Sequence, residues 1–291
     1  ARAFFAAGVL ASEQGDYAAA DARTGESLNV ARKLQDQHGI AVSLNALAVH
    51  ARDRGDIPAA RSLFEECLEL WRQLDDRKAV ARALSNLASV VKAQGDYSHA
   101  LSLYAECLSI FQELGDTEGV AWSLNYQGDV ARDQTDSVNA RILYGQALEI
   151  FQELNDRWGV AGTLADLGTL AREQNDYASA FCLFQESLRV FQELEHRRGI
   201  ARLLECFACL AATQLHAERS LRLAGTAAAL RQKIGAPLNP AEQLKLEASL
   251  DPVRQTVGNT EGATAWLEGW VMPVEKAIEE ILMSADSAYP N

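Results

Sequence analysis

A turn signal recurs every forty residues along this chain: Gly-Asp-Tyr at Gly15, Gly-Asp-Ile at Gly55, Gly-Asp-Tyr at Gly95, Thr-Asp-Ser at Thr135 and Asn-Asp-Tyr at Asn175. A fixed period of that length specifies a stack of supersecondary units. Each unit carries an apolar stripe that only its neighbours can cover. The copies span 1–40, 41–80, 81–120, 121–160 and 161–200, followed by a shortened sixth over 201–235.

Within a copy the period is that of a helix pair. In the third, Leu84, Leu87, Ala88 and Val91 fall on one face of a first helix. Ala100, Leu103, Tyr104, Cys107, Leu108, Phe111 and Leu114 do the same on a second. Gly15, Gly55 and Gly95 suit the left-handed residue that ends a helix. Asp16, Asp56, Asp96, Asp136 and Asp176 suit the cap that opens the next, each contributing about 0.5–2 kcal/mol. Asp36, Asp76, Asp116 and Asp156 fit the same role at the second break. Nearly half the residues are apolar, with few aromatics and 6 Pro, a composition that favours helix over strand.

These residues resemble the tetratricopeptide repeat family. Its first helix carries a large apolar residue, Leu three later, then a small one; here these are Leu44/Leu47/Ala48, Leu84/Leu87/Ala88 and Leu164/Leu167/Gly168. The small residue opening its second helix matches Ala20, Ala60, Ala100, Ala140 and Ala180. The aromatic four later matches Phe64, Tyr104, Tyr144 and Phe184, and the next small residue matches Cys67, Cys107, Ala147 and Ser187. The resemblance implies an all-α fold, a right-handed superhelical α-α solenoid. The repeat is longer than the usual ~34 residues and lacks the terminal Pro, similar to repeats of kinesin light chains and bacterial regulators. The fourth copy departs from the pattern: Gln127 replaces the core Leu and Thr135-Asp136-Ser137 replaces the Gly turn. Drift and a polar pocket are the two readings of that departure.

From 236 the period is lost. Asn239-Pro240-Ala241-Glu242 reads as a cap, a first-turn Pro and a capping-box acid, with Pro252 set to break or kink the helix that follows. Further helices are expected over Thr260–Gly269 and from Pro273 to about Met283, with a frayed tail over 284–291. The plain role of 236–291 is to cap the solenoid. Ala229–Gly235, Trp266, Gly269 and Glu275–Ile281 also resemble the C-terminus of bacterial multidomain signalling ATPases of the STAND type and of transcriptional regulators. That resemblance implies a sensor arm whose catalytic domains lie upstream, in line with a chain that starts without Met. The upstream domains of the parent chain would then be partners as well.

Forty acidic against 27 basic residues give a formal charge of −13. Such a surface repels phosphate backbones and anionic lipid, which argues against nucleic-acid or membrane partners. Apolar runs fall short of the ~18–20 residues a spanning helix needs. The opening ARAFFAAGVLA has the apolarity of a secretory signal but sits in register with the repeats. Five cysteines without a disulfide-framework spacing point to a reducing, cytoplasmic setting. No phosphate-cradling loop, HExxH or GxSxG is present, and the histidines are scattered, so no enzyme, cofactor or metal is expected. Cys206-Phe207-Ala208-Cys209 lacks the second pair a zinc site requires and reads as small semi-buried residues.

What a solenoid does offer is a concave groove, lined by columns 2, 5, 6, 9 and 12 of each first helix. Here those columns bring Asn45, Arg82, Asn86, Ser89, Lys92, Trp122, Asn125, Tyr126, Asp129, Arg132, Asp166 and Arg172 into one stripe. Asn can pair with a main chain regardless of sequence, and Trp122 and Tyr126 supply hot-spot area, unless Trp122 packs on its neighbour. Arg132 and Arg172 can hold a carboxylate, or be neutralised by Asp129, Asp133 and Glu173. The expectation is a module binding a peptide or protein segment. The alternatives are a self-associating scaffold, forming homo-oligomers, and a small-molecule sensor built on Gln127, Trp122 and Tyr126.

Overall fold

A computed structural model describes residues 1–13 and 17–283, which form fifteen α-helices and no strand. Gly15, Asp16 and the tail 284–291 lie outside the described residues. The helices are α1 (Arg2–Glu13), α2 (Tyr17–Leu34), α3 (Gln37–Asp53), α4 (Ile57–Gln73), α5 (Arg77–Ala93), α6 (Tyr97–Leu114), α7 (Thr117–Asp133), α8 (Ser137–Glu153), α9 (Arg157–Glu173), α10 (Tyr177–Glu193), α11 (Arg197–Thr213) and α12 (Ala217–Lys233). After them come α13 (Pro240–Thr256), α14 (Asn259–Val271) and α15 (Val274–Met283). They group into two compact units, Ala1–Ile150 with Asn239–Ala241, and Phe151–Leu238 with Glu242–Asn291.

The breaks between helices follow a twenty-residue rhythm set by two residues each. The first is left-handed: Gly55, Gly95, Gly115 and Gly235 hold positive φ, and so do Gln35, Asp75, Thr135, Asn155, Asn175, Glu195 and Leu215. The second caps the next helix. Asp36, Asp76 and Asp116 accept the amide of the residue three later at 3.0, 2.9 and 3.0 Å. Asp56, Asp96 and Asp176 do the same at 3.2, 3.1 and 3.1 Å. Thr135 keeps φ at 62° and Asp136 still accepts from Asn139 at 3.1 Å, so the altered fourth turn has the geometry of the others. At the tenth break the cap is His196, whose Nδ1 accepts the Gly199 amide at 3.1 Å.

The first unit stacks α1 on α2, α3 on α4 and α5 on α6, each pair also meeting the next. Its centre is the repeat signature itself: Ala60 and Ala100 are fully enclosed, as are Phe64, Tyr104 and Cys67 and Cys107 beneath them. Burial pushes both thiols up to about 11, so they act as small apolar residues. In the second unit α9 pairs with α10 and α11 with α12, around Phe184, Leu188, Leu203, Leu204 and Phe207. Aromatic residues at one position of successive second helices lie flat on the glycine that opens the following helix: Phe111 on Gly119, Phe151 on Gly159, Phe191 on Gly199. α13 continues through Pro252 as one helix. α14 lies on α12 and α15 joins the same core through Ala277, Ile278 and Ile281.

Candidate partner-binding groove

The first unit carries an open groove of about 610 Å³ along α3, α5 and α7. Of the residues expected to line such a surface, Asn45, Arg82, Asn86, Trp122 and Tyr126 do. They come together because one helical stripe on each first helix is repeated at the stacking distance of the pairs. The Asn86 side-chain amide donates to the Asn45 carbonyl oxygen at 3.1 Å, forming a rung between adjacent repeats. That rung uses one donor of Asn86 and one acceptor lone pair of Asn45, leaving further hydrogen-bonding capacity on both amides.

One wall is aromatic. Trp122 and Tyr126 sit with centroids 5.8 Å apart, and Tyr126 stacks on the buried Tyr104 at 5.7 Å. Both groove aromatics are half-buried, packed on one side and facing the groove on the other. Trp71, Phe111 and His38 also line the groove, with the His38 ring edge-on to Trp71 at 5.1 Å. Trp71 and Phe111 were absent from the expected stripe because they stand on second helices. Their signal was present in the sequence, as an aromatic column running Trp71, Phe111, Phe151 and Phe191.

Charge in the groove is mixed. Lys78 holds Asp116 at 2.5 Å; burial works against that carboxylate, but Lys78 and the Gly119 amide keep it below the usual range. Arg82 is exposed and makes no hydrogen bond or ion pair among the described residues. Its guanidinium, which acts on Asp116 only at a distance, therefore has donors to offer.

The remaining expected residues are placed elsewhere or bonded. The Ser89 hydroxyl donates to the Asn86 carbonyl at 2.7 Å. Asn125 is buried, 3% exposed. Lys92 lies 3.4 Å from Asp129 and 3.7 Å from Asp133, and Arg132 reaches the same two at 3.6 and 3.7 Å. Tyr144 donates to Asp129 at 2.8 Å, so these charges are engaged with one another. In the second unit, Asp166 is buried against Arg202 at 2.5 Å, and Arg172 lies 3.6 Å from Glu173. Gln127 is not among the groove-lining residues; its Nε2 is buried without a hydrogen-bond partner. Among the described residues no group of His, Cys, Asp or Glu has a metal-binding arrangement, and no helix is long and apolar enough to cross a membrane.

Comparison with known proteins supplies the context for this geometry. A tetratricopeptide repeat model matches residues 39–113 and 119–193, just over half of the chain. No curated protein matches significantly. Among solved structures, a Rap protein complexed with Competence and Sporulation Factor aligns at a TM-score of 0.74 with 13% identity, covering 96% of this chain and 75% of that one. The apo form of RapI aligns at 0.61 with 15% identity, over 91% and 97% of the two chains. BtubC (BKLC) from P. vanneervenii aligns at 0.53 with 20% identity, over 93% and 92%. At such identities these likenesses speak for the fold alone.

Proposed function

Because the chain belongs to the tetratricopeptide repeat family, whose arrays are interaction scaffolds, we propose that the groove of the first unit holds an extended peptide or protein segment. The observation that carries this reading is the conjunction of the Asn45–Asn86 rung, the Trp122–Tyr126 wall and the unpaired Arg82 along one open surface. The amides would bond main-chain groups, the aromatic wall would take an apolar side chain, and Arg82 would hold a carboxylate of the ligand. The Rap structure was solved with Competence and Sporulation Factor bound, which supports looking for a peptide first. The reading assigns no chemical step to the chain. It places the protein in a reducing compartment such as the cytoplasm, where its free cysteines stay as thiols.

In this reading the chain is the regulatory arm of a larger signalling ATPase or transcriptional regulator, and ligand binding changes the restraint on domains upstream. A phosphate-binding loop encoded ahead of Ala1 would support that parentage, and its absence from the full gene would remove it.

The deciding experiment is capture from host lysate with wild type and with an Asn86→Ala/Tyr126→Ala variant shown by circular dichroism to stay folded. A partner held by wild type and lost by the variant establishes the groove as the working surface. Recovery of the same partners by both, or of the chain alone, overturns the reading and favours self-assembly. A thermal shift with metabolites and none with peptides would favour a small-molecule sensor.

A further inference from the structure

Within a helix pair, the residue that opens the first helix can reach the last turn of the second. Arg77 holds Glu113 in this way at 2.7 Å, and Arg157 holds Glu193, the partners standing 36 residues apart in both cases. In the α11–α12 pair the same two positions carry Arg197 and Lys233. A base has taken the place of the acid. Neither side chain makes a hydrogen bond or ion pair among the described residues. The exchange is cheap for the fold, because exposed ion pairs contribute little to stability. It leaves two cations with all their donors on offer.

Both bases line one cavity of about 620 Å³ that lies wholly within the second unit. That volume falls in the range of small-molecule sites. Its walls come from the end of α10, the start of α11, the last turns of α12 and the elbow between α14 and α15, so it is a local cavity and not a groove running along the repeats. Ile200, Leu230 and Ile278 give it an apolar lining that is itself part of the second unit's core. Trp270, 38% exposed, adds an indole at the elbow.

Two acids line the cavity as well. Glu275 stands in the first turn of α15, where the helix N-terminus favours a carboxylate, and Glu195 occupies the left-handed break ahead of α11. Neither forms an ion pair with Arg197 or Lys233. Two bases beside two acids suit a single carboxylate and disfavour a polyanion such as a nucleotide phosphate chain.

We propose that this cavity binds a small carboxylic acid with an apolar body. The Arg197 fork takes the carboxylate and Lys233 adds a second charge. The body lies against Leu230, Ile278 and Trp270. A bound acid thereby bridges the last repeat and the helices that follow it. The site uses none of the first-unit groove, so either assignment can fail without the other.

The test uses the full chain with phenylpropionate and phenylbutyrate, each compared with its neutral primary amide. In lysine footprinting read by mass spectrometry, at least one acid at about 1 mM is expected to slow acylation of Lys233 about threefold or more. The exposed Lys33 of α2 serves as internal reference and should be unaffected. By calorimetry that acid should bind at least about tenfold more tightly than its amide. Lys233→Glu, which rebuilds the pair seen at Arg77–Glu113 and Arg157–Glu193, should weaken binding at least about tenfold, whereas Lys33→Glu, with the same change in net charge, should leave it unchanged. Acylation of Lys233 at one rate with and without either acid overturns the proposal. So does an amide that protects as well as its acid, or a folded Lys233→Glu chain that binds like wild type. Should Lys233→Glu fail to fold, the footprint of the unaltered chain decides.

Discussion

The Thr226 hydroxyl donates to the Gly269 carbonyl at 2.9 Å across the α12–α14 crossing, and it does so because neither Gly225 nor Gly269 has a side chain in the way. Both positions face backbone rather than a movable side-chain end. Gly269→Ala must therefore push the helices apart, lengthen the Thr226 bond and loosen Trp266. A cost of about 2–3 kcal/mol is expected, in the upper range for overpacking. Gly145 in α8 has open space around its Cα, so Gly145→Ala should instead stabilise by about 0.5–1 kcal/mol through helix propensity. Chemical denaturation of the two variants should move in opposite directions. A neutral Gly269→Ala would mean that the close crossing is not there.

Thr135 holds φ at 62°, a region that a β-branched residue adopts only under strain. Three of the other breaks in the first unit place Gly there. Thr135→Gly should relieve roughly 1–2 kcal/mol of backbone strain, offset in part by the greater freedom of glycine in the unfolded chain. A net gain of about 0.5–1 kcal/mol in unfolding free energy, read as a higher denaturant midpoint, is the expected result. A loss would show that the threonine side chain contributes more than its backbone costs.

Much of the fold was legible because a repeat states each rule several times. The apolar stripes, the small and aromatic columns and the Asp caps each recurred at a fixed offset. The left-handed positions were legible only where Gly filled them; at Gln35, Asp75 and Leu215 the stacking geometry imposes the turn on residues that do not advertise it. The groove was legible by column but not by occupant. Asn45 and Asn86 could be placed on one stripe, whereas the pairing of Lys92 with Asp129 and Asp133 depends on the offset between α5 and α7. Trp71 and Phe111 reach the groove from second helices, which a reading of first-helix columns does not see. The packing of α14 on α12 was out of reach, since no period continues beyond 235.

Arg231 and Glu205 form a buried pair, joined by a 2.8 Å hydrogen bond and a second, shorter one, with Arg231 also donating to the Ala236 carbonyl at 3.1 Å. Burial raises the Glu205 carboxyl despite its arginine partner. Arg231→Met leaves that carboxyl buried and unpaired, and should cost about 3–5 kcal/mol. Adding Glu205→Met should restore most of the loss, since an apolar pair avoids the desolvation that an ion pair must overcome. A double-mutant cycle by denaturation reads the coupling. Additive losses from the two substitutions would show that the pair is not coupled in the folded chain.

His196 makes the α11 cap conditional on pH. Its Nδ1 must be unprotonated to accept the Gly199 amide at 3.1 Å. Burial lowers its pKa from 6.5, with Arg198 adding to the effect. A histidine whose folded pKa lies below the unfolded value gives stability that is fully present above about 6.5 and is lost as pH falls through the lower folded value. His196→Asp supplies the same capping acceptor in a form that stays ionised until well below that window. Wild type should therefore lose stability against His196→Asp between about pH 7 and 5, a difference that cancels the carboxylates common to both chains. Denaturant midpoints measured across that range should diverge on the acid side; parallel curves would mean that His196 caps α11 without depending on its own charge.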